Sequence, residues 1–177
     1  MTRVRTLEHI ADVRRRPGVQ RPVVRTFPAE ALGPIGTSSA TVPPDGEIAL
    51  DGTLEATGLD IVLTGVATAP WEGECRRCLD PAVGDLVVDL REVFEPDPVD
   101  GETFPIVDER IDLGAVLREL LALALPLAPL CAETCPGPDP EAHPVATEDP
   151  DDGDAGADAG PPADPRWAAL DQLRFDA

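Results

Sequence analysis

Apolar and polar residues alternate in three stretches of the chain, over residues 47–56, 60–69 and 85–94. In the last stretch, DLVVDLREVF, charged residues take one side and the other side consists of Leu86, Val88 and Leu90. A period of two is typical of half-buried β-strands. The pattern therefore predicts antiparallel strands, with a tight reversal at Thr57-Gly58 and a turn or bulge near Asp51-Gly52.

The period changes to that of a helix over residues 111–125. The apolar positions there follow i, i+3, i+4 and i+7 spacing and are Leu113, Val116, Leu117, Leu120, Leu121 and Ala124. Asp112 can cap this helix, and Pro126 ends it. An apolar stripe of this kind is typical of a helix that packs on a core, so we expect it to cover the sheet.

The remaining segments of the domain carry weaker signals. Residues 6–16 predict a short helix, residues 20–29 an extended segment, and TFPIVD (103–108) an edge strand, since Pro105 has no N–H for a central one. Together these elements predict an α+β fold, in which one main helix covers an antiparallel, partly barrel-like sheet.

Composition divides the chain into three parts. Residues 1–136 form the predicted domain, which begins with a basic arm over 1–25. Residues 137–163 consist mostly of Pro, Gly, Ala and acids, which predicts a disordered linker. Residues 164–177 predict a short helix that docks or binds something, with Asp164 and Pro165 at its start and Trp167 on its apolar side.

The net charge of −20 is unevenly distributed. Residues 1–25 hold seven arginines and two acids, whereas residues 26–138 hold five arginines and 21 acids. An acidic body repels a phosphate backbone but suits a basic protein partner. Contact with RNA would therefore use the arginine-rich start of the chain, at Arg14, Arg15, Arg16, Arg21 and Arg25.

No segment predicts a membrane anchor or a secretory signal. The start, MTRVRTLEHIADVRRR, has no uninterrupted apolar run. The apolar run over 120–130 is too short to span a bilayer and contains two prolines. We therefore expect a cytoplasmic protein, in which structural disulfides are rare.

Four cysteines stand in two short-spaced pairs, Cys75 with Cys78 and Cys131 with Cys135. Four thiolates in two pairs match a closed, structural zinc site. The two arginines inside the first pair would lower the thiol pKa values and offset the negative charge of the site. We predict that zinc clips the sheet to the segment after the main helix.

The spacing alone leaves other interpretations open. The pairs could form a redox couple or disulfides, and Cys131 and Cys135 could be small buried hydrophobes. A thioredoxin-type C-x-x-C begins a helix, whereas the residues after CRRC predict a turn and a strand. The chain has no phosphate-binding glycine loop and no nucleophile elbow, so we predict no enzymatic activity and no small-molecule substrate.

Three motifs occur together, GECRRCLDP, LALALPLAPLCAETCPG and DPRWAAL. In combination they resemble the YceD family of bacterial large ribosomal RNA subunit accumulation proteins, in its actinobacterial form. The resemblance implies a non-enzymatic role in ribosome biogenesis, with large-subunit ribosomal RNA or a large-subunit ribosomal protein as partner. It also implies that the four cysteines occupy the family's cysteine positions.

The chain departs from the family after the second pair. Many relatives continue as CxGLCxxCG, whereas this chain reads CPGPDPEAH, with Pro138, Asp139 and Ala142 where Leu and two cysteines would stand. Either the four cysteines complete the site, or the site has decayed and binds metal poorly or not at all; Asp139 or His143 could also substitute as a ligand. A thiol–disulfide protein and a zinc-stabilised interaction module unrelated to ribosomes remain the alternatives.

Overall fold

The structure, a computed structural model, describes residues 6–139 and 141–142. The predicted helix over 164–177 with Trp167, most of the predicted linker over 137–163, and His143 lie outside these residues. The described part is an α+β fold. In chain order its elements are β1 (Leu7–His9), α1 (Ala11–Arg14), β2 (Arg21–Pro28), α2 (Ala29–Leu32), β3 (Ala40–Thr41), β4 (Glu47–Thr57), β5 (Asp60–Glu74), β6 (Pro81–Glu95), β7 (Phe104–Pro105), β8 (Arg110–Asp112) and α3 (Leu113–Ala124).

One six-stranded sheet dominates the described fold, in the order β2-β4-β5-β6-β7, with β3 paired to β5. The pairs are antiparallel except for β6 with β7, which is parallel. The predicted edge strand is β7, at one margin of the sheet. The sheet is open between β2 and β7 and does not close into a barrel.

The alternation of apolar residues is confirmed in the central strands, where every second residue of β4 from Ile48 to Ala56 is buried. The predicted turn or bulge near Asp51-Gly52 is wrong, because β4 continues through it. Gly52 faces Gly65 of β5, and a Cβ on Gly52 would lie 2.8 Å from the Thr64 carbonyl oxygen. These glycines permit close approach of two strands, whereas the reversal falls at Gly58-Leu59, where Gly58 has φ +69°.

The helix predicted over residues 6–16 is mostly wrong. β1 pairs with β8 as a separate two-stranded sheet, and α1 is a single turn. The buried residue of β1 is Glu8, whereas Leu7 is 49% exposed. The helical spacing of apolar residues misled here because a carboxylate, and not the leucine, faces the interior.

α3 is confirmed within two residues of its predicted ends. The Asp112 carboxylate accepts a hydrogen bond from the Gly114 N–H at 3.0 Å, and the buried residues are Leu113, Gly114, Val116, Leu117 and Leu121. The helix packs with β1, α2 and one face of the large sheet to enclose the core. On the other face of the sheet, Val24, Val83 and Val87 are exposed. Among the described residues, no helix has the length and apolar content that a membrane crossing requires.

Candidate metal centre

The four cysteines lie together at one end of the β5–β6 hairpin. Cys75 and Cys78 stand in the turn of the hairpin, and Cys131 and Cys135 stand in the segment after α3. All four Sγ atoms lie within 4.8 Å of one another. Two of the separations are 3.6 Å between Cys78 and Cys131 and 3.7 Å between Cys75 and Cys135. The predicted ligand set is thus assembled in space across a gap of more than fifty residues.

The hairpin turn fixes the first pair of sulfurs. The ladder of β5 and β6 runs to Glu74 opposite Pro81, and the Cys75 N–H then donates to the Asp80 carbonyl at 2.8 Å. The Leu79 N–H donates to the Cys75 carbonyl at 2.9 Å. Leu79 has φ +64°, a conformation that is costly for a residue with a side chain. The turn therefore holds backbone strain at the site, as is common where geometry serves a function.

The second pair is fastened to the first by hydrogen bonds. The Arg76 N–H donates to the Pro129 carbonyl at 2.9 Å, and the Arg77 Nη1 donates to the Cys135 carbonyl at 3.0 Å. The Cys135 N–H closes its own turn on the Ala132 carbonyl at 3.1 Å. The two turns are therefore held face to face by the protein itself.

One side of the cluster is apolar and the other is open. Cys75 and Cys135 are buried with Ala82, and Trp71 and Leu130 pack against them. The Trp71 ring lies over Gly84, where a Cβ would be 2.8 Å from Nε1. Cys78 is half-buried and Cys131 is exposed. Solvent therefore reaches the cluster from the side of Cys78 and Cys131.

Backbone N–H groups set the protonation of the buried thiol. The N–H groups of Cys78 and Cys131 point at Cys75 and, with that of Arg77, lower the pKa of its thiol to about 6, against the opposing effect of burial. The Asp80 N–H acts in the same sense on Cys78, but burial and the neighbouring thiols outweigh it and raise the pKa of Cys78 to about 12. The neighbouring Cys135 side chain contributes most to the raised pKa of the Cys131 thiol. The predicted lowering of the thiol pKa values is found at Cys75 but not at Cys78 or Cys131, and at Cys75 it comes mainly from backbone N–H groups.

This arrangement could hold a metal ion. All four cysteines are free thiols. The Cys75–Cys78 pair lies in a hairpin turn. Thiol–disulfide catalysts, by contrast, place their C-x-x-C pair at the start of a helix. Asp139 accepts a hydrogen bond from the Ala142 N–H at 3.0 Å, and it is not part of the cluster.

The predicted RNA-contact arginines fall into two groups. Arg21 Nη2 and Arg25 Nη2 donate to the two carboxylate oxygens of buried Glu8, at 2.9 and 2.7 Å. Arg14 pairs with Glu109. Arg15 and Arg16 are exposed, and no ion pair within residues 6–139 involves them.

Sequence reasoning missed the residues that support these clusters. Glu8 was one acid among 34, and nothing in its surroundings in the chain marks it as a partner of Arg21 and Arg25. The role of Arg77 as a link to Cys135 depends on a contact between residues 58 positions apart. Such partners have no local signal, because the fold alone brings them together.

Comparison with known proteins gives a consistent result. The family described as "Large ribosomal RNA subunit accumulation protein YceD" matches residues 63–174. An uncharacterized protein of Mycobacterium bovis is 33% identical over 172 residues, which cover 93% of this chain and 79% of the relative. An uncharacterized protein of Mycobacterium tuberculosis strain H37Rv gives the same values, and one of Mycobacterium leprae is 32% identical over 139 residues. No solved structure gives a significant match.

The family match spans both cysteine pairs, most of β5, all of β6 and α3. It therefore includes the whole candidate metal centre and the elements that assemble it. On this match and on its similarity to the mycobacterial proteins, the chain belongs to the YceD family.

Proposed function

We propose that this protein is a cytoplasmic, non-enzymatic factor in assembly of the large ribosomal subunit, and that it acts by binding a basic ribosomal protein. A structural zinc ion, held by Cys75, Cys78, Cys131 and Cys135, would join its two cysteine turns. The supporting observation for the ribosomal role is membership of a family that is described by accumulation of large ribosomal RNA. The mycobacterial relatives carry no functional name that would add to it.

The geometry of the sulfurs supports zinc. A zinc–sulfur bond of about 2.3 Å in a tetrahedron separates neighbouring sulfurs by about 3.8 Å. Two pairs of sulfurs here are 3.6 and 3.7 Å apart, and all four sulfurs lie within 4.8 Å of one another. Small adjustments of the side chains would complete the tetrahedron. Four thiolates fill it, which is typical of structural zinc and leaves no position for a reacting water.

Charge supports a protein partner over direct RNA contact. Residues 26–138 carry 21 acids and five arginines, and an acidic surface opposes approach of phosphates. Three of the five arginines that RNA contact would use are already paired with carboxylates. A basic ribosomal protein would instead be attracted, and kept from unspecific contact with RNA, by the same acids.

A thiol–disulfide function is less well supported, although the lowered pKa of Cys75 would suit one. The sulfur of a redox thiol has to meet its substrate, and Cys75 is fully buried. The cysteines that solvent reaches, Cys78 and Cys131, have raised pKa values and would be poor nucleophiles. This distribution is better suited to ligands of one shared ion.

Deletion of the gene tests the ribosomal role. We expect the ratio of large- to small-subunit ribosomal RNA to fall, and to be restored by the wild-type chain and by Cys131→His, which keeps a zinc ligand. Cys75→Ser should fail to restore it at elevated temperature. An unchanged ratio in the deletion strain would contradict the proposal and leave an interaction module unrelated to ribosomes.

Crosslinking in cells that contain the wild-type chain distinguishes an RNA partner from a protein partner. Ultraviolet light joins proteins to RNA that they contact directly, whereas a bifunctional amine-to-carboxylate reagent joins acidic to basic proteins. We expect the second reagent, and not light, to link this chain to a protein of the large subunit. Ribosomal RNA recovered by light, and lost with Arg15→Gln plus Arg16→Gln, would contradict the protein-binding route.

A further inference from the structure

A groove of about 260 Å³ lies between α3, β6 and the loop before β7, on the surface of the described domain. Its lining includes apolar side chains of Phe104, Val116 and Leu120, and Leu123, which is 81% exposed. Its acidic lining consists of Glu92, Asp100, Glu102 and Glu119. The groove thus combines an apolar surface with four carboxylates, and it lies outside the cysteine cluster.

The carboxylates come from three elements that hold them in place. Glu92 belongs to β6 and Glu119 to α3, and these elements pack together. Burial and the charge of Glu119 raise the pKa of the Glu92 carboxyl, as expected where negative groups face each other without a cation.

The loop of residues 96–103 is anchored by its own hydrogen bonds. The Val99 carbonyl accepts from the N–H groups of Glu102 and Thr103, each at 3.0 Å. The Thr103 hydroxyl accepts from the Val99 N–H at 2.8 Å and donates to Glu95 at 3.1 Å. These hydrogen bonds therefore hold the turn that places Asp100 and Glu102 at the groove.

Within the described ranges, no cation neutralises these carboxylates. The ion pairs found there involve only Arg14, Arg21 and Arg25. A single metal ion does not fit the groove either, since among the residues that the structure describes only the cysteines bring three or more ligand atoms close enough to share one. An apolar surface beside uncompensated carboxylates matches a side chain with an aliphatic stem and a positive end.

We propose that this groove binds a basic segment of a partner protein, with the stem of an arginine or lysine on Phe104 and Leu120 and its charged end at Glu92 and Glu119. RNA is disfavoured as the occupant because its phosphates would face the same four carboxylates. The identification of the partner as ribosomal rests on the proposed function, whereas the groove and its preference for a basic peptide do not.

The test is binding of a short fluorescein-labelled peptide in which arginines alternate with serines, followed by fluorescence anisotropy with the full chain. Glu92→Gln, Glu102→Gln and Glu119→Gln together should weaken binding at least about tenfold, or about 1.4 kcal/mol. The matched control is Asp51→Asn, Asp85→Asn and Asp89→Asn, which removes the same charge from exposed positions on the other face of the sheet. We expect the control to change affinity less than about twofold, since exposed charges at a distance are screened.

Leu123→Ser tests the apolar side of the groove without changing charge. We expect a loss of affinity of about threefold at unchanged salt dependence, because less apolar surface would be covered. Equal weakening by the two charge variants would overturn the proposal and indicate attraction by net charge alone. Binding of a single-stranded RNA probe in place of the peptide would overturn it as well.

Two further measurements, light scattering and peptide binding by a shortened chain, distinguish two other occupants of the groove. Dimers in light scattering that the Glu92, Glu102 and Glu119 variant abolishes would assign the groove to a second copy and overturn the proposal. A tenfold gain in peptide affinity on removal of residues 164–177 would assign it to the chain's own end, with the same consequence.

Complementation separates the groove from the proposed function. If the triple groove variant loses the peptide yet restores the ribosomal RNA ratio, the assignment of the groove to the ribosomal partner is wrong and the function stands. If the deletion leaves the ratio unchanged while the groove variant still loses the peptide, the groove stands and the ribosomal function is wrong.

Discussion

The cysteine cluster lies beside the turn between β5 and β6, whereas the arginine cluster around Glu8 joins β2, an edge strand of the same sheet, to β1. Both clusters contain residues that the sequence marks as functional. At the cysteine end, the four thiol sulfurs lie within 4.8 Å of one another. At the Glu8 end, Arg21 and Arg25 meet a buried carboxylate at 2.9 and 2.7 Å.

The difference lies in what each side chain can find inside the protein. A thiolate has few partners in a folded domain except a metal ion or another cysteine, so two short-spaced pairs predict that the four thiols lie together. A guanidinium group pairs with any carboxylate that the fold supplies, and this chain has 34 acids. A run of arginines is therefore a weak signal for RNA contact in an acidic protein, whereas two cysteine pairs are a strong signal for a shared ion.

The largest effect is expected on removing one sulfur. Cys75→Ser should abolish stoichiometric zinc binding and lower the Tm by about 10 °C, because zinc at 1,000 times its Kd would otherwise stabilise the folded chain. Metal analysis of the purified chain and a thermal melt check this. Cys131→His is the control and should keep zinc. The metal centre would be contradicted if the purified wild-type chain contained no zinc and had the same Tm as Cys75→Ser.

At the arginine cluster, Glu8→Gln should lower the free energy of unfolding by about 2 kcal/mol, since it removes the buried negative charge that Arg21 and Arg25 share. The effect stays below that of a fully buried pair because the side chains of Arg21 and Arg25 are 27% and 45% exposed. Denaturant unfolding measures it. Asp12→Asn, which removes a 60% exposed partner of Arg21, should cost less than about 0.5 kcal/mol; equal losses would mean that burial of Glu8 adds nothing.

Two neighbouring arginines beside the cysteines differ in how they contact the second cysteine turn, one through its backbone and the other through its side chain. Arg77→Ala should lower stability by about 1 kcal/mol and zinc affinity by about tenfold, because it releases the Cys135 carbonyl that positions a ligand. Arg76→Ala should leave zinc affinity nearly unchanged, as its backbone N–H, which survives the substitution, makes the contact with Pro129. Competition with a chromophoric chelator compares them. Equal affinities would show that the link to Cys135 does not support the site.

The smallest effect is expected for the arginines without a described partner. Arg15→Gln together with Arg16→Gln should change the free energy of unfolding by less than about 0.5 kcal/mol, as is usual at exposed positions. Denaturant unfolding beside Glu8→Gln provides the comparison. A loss above about 1 kcal/mol would mean that these arginines also serve the fold, and the contrast between paired and exposed arginines would fail.

Much of the fold could be predicted from the chain alone. The alternation of apolar residues predicted the central strands, and the spacing of leucines together with Asp112 and Pro126 predicted α3. These are local properties, because side-chain direction in a strand or helix depends only on position along it. The helix predicted over residues 6–16 was mostly wrong because a local pattern decided it: Leu7, Ile10 and Val13 have helical spacing, yet residues 7–9 pair with β8 as a strand.

The sequence by itself determined the candidate ligand set, because the residue type and the short spacing within each pair can be read directly from the chain. Only the tertiary structure decided that Arg21 and Arg25 serve Glu8, that Arg77 holds Cys135, and that Glu92, Glu102 and Glu119 surround one groove. Each of these contacts joins residues that are far apart in the chain, and their separation follows neither the helical nor the strand repeat. Coulomb attraction and hydrogen bonding act over a few ångströms, so such partners exist only after the core has brought distant segments together.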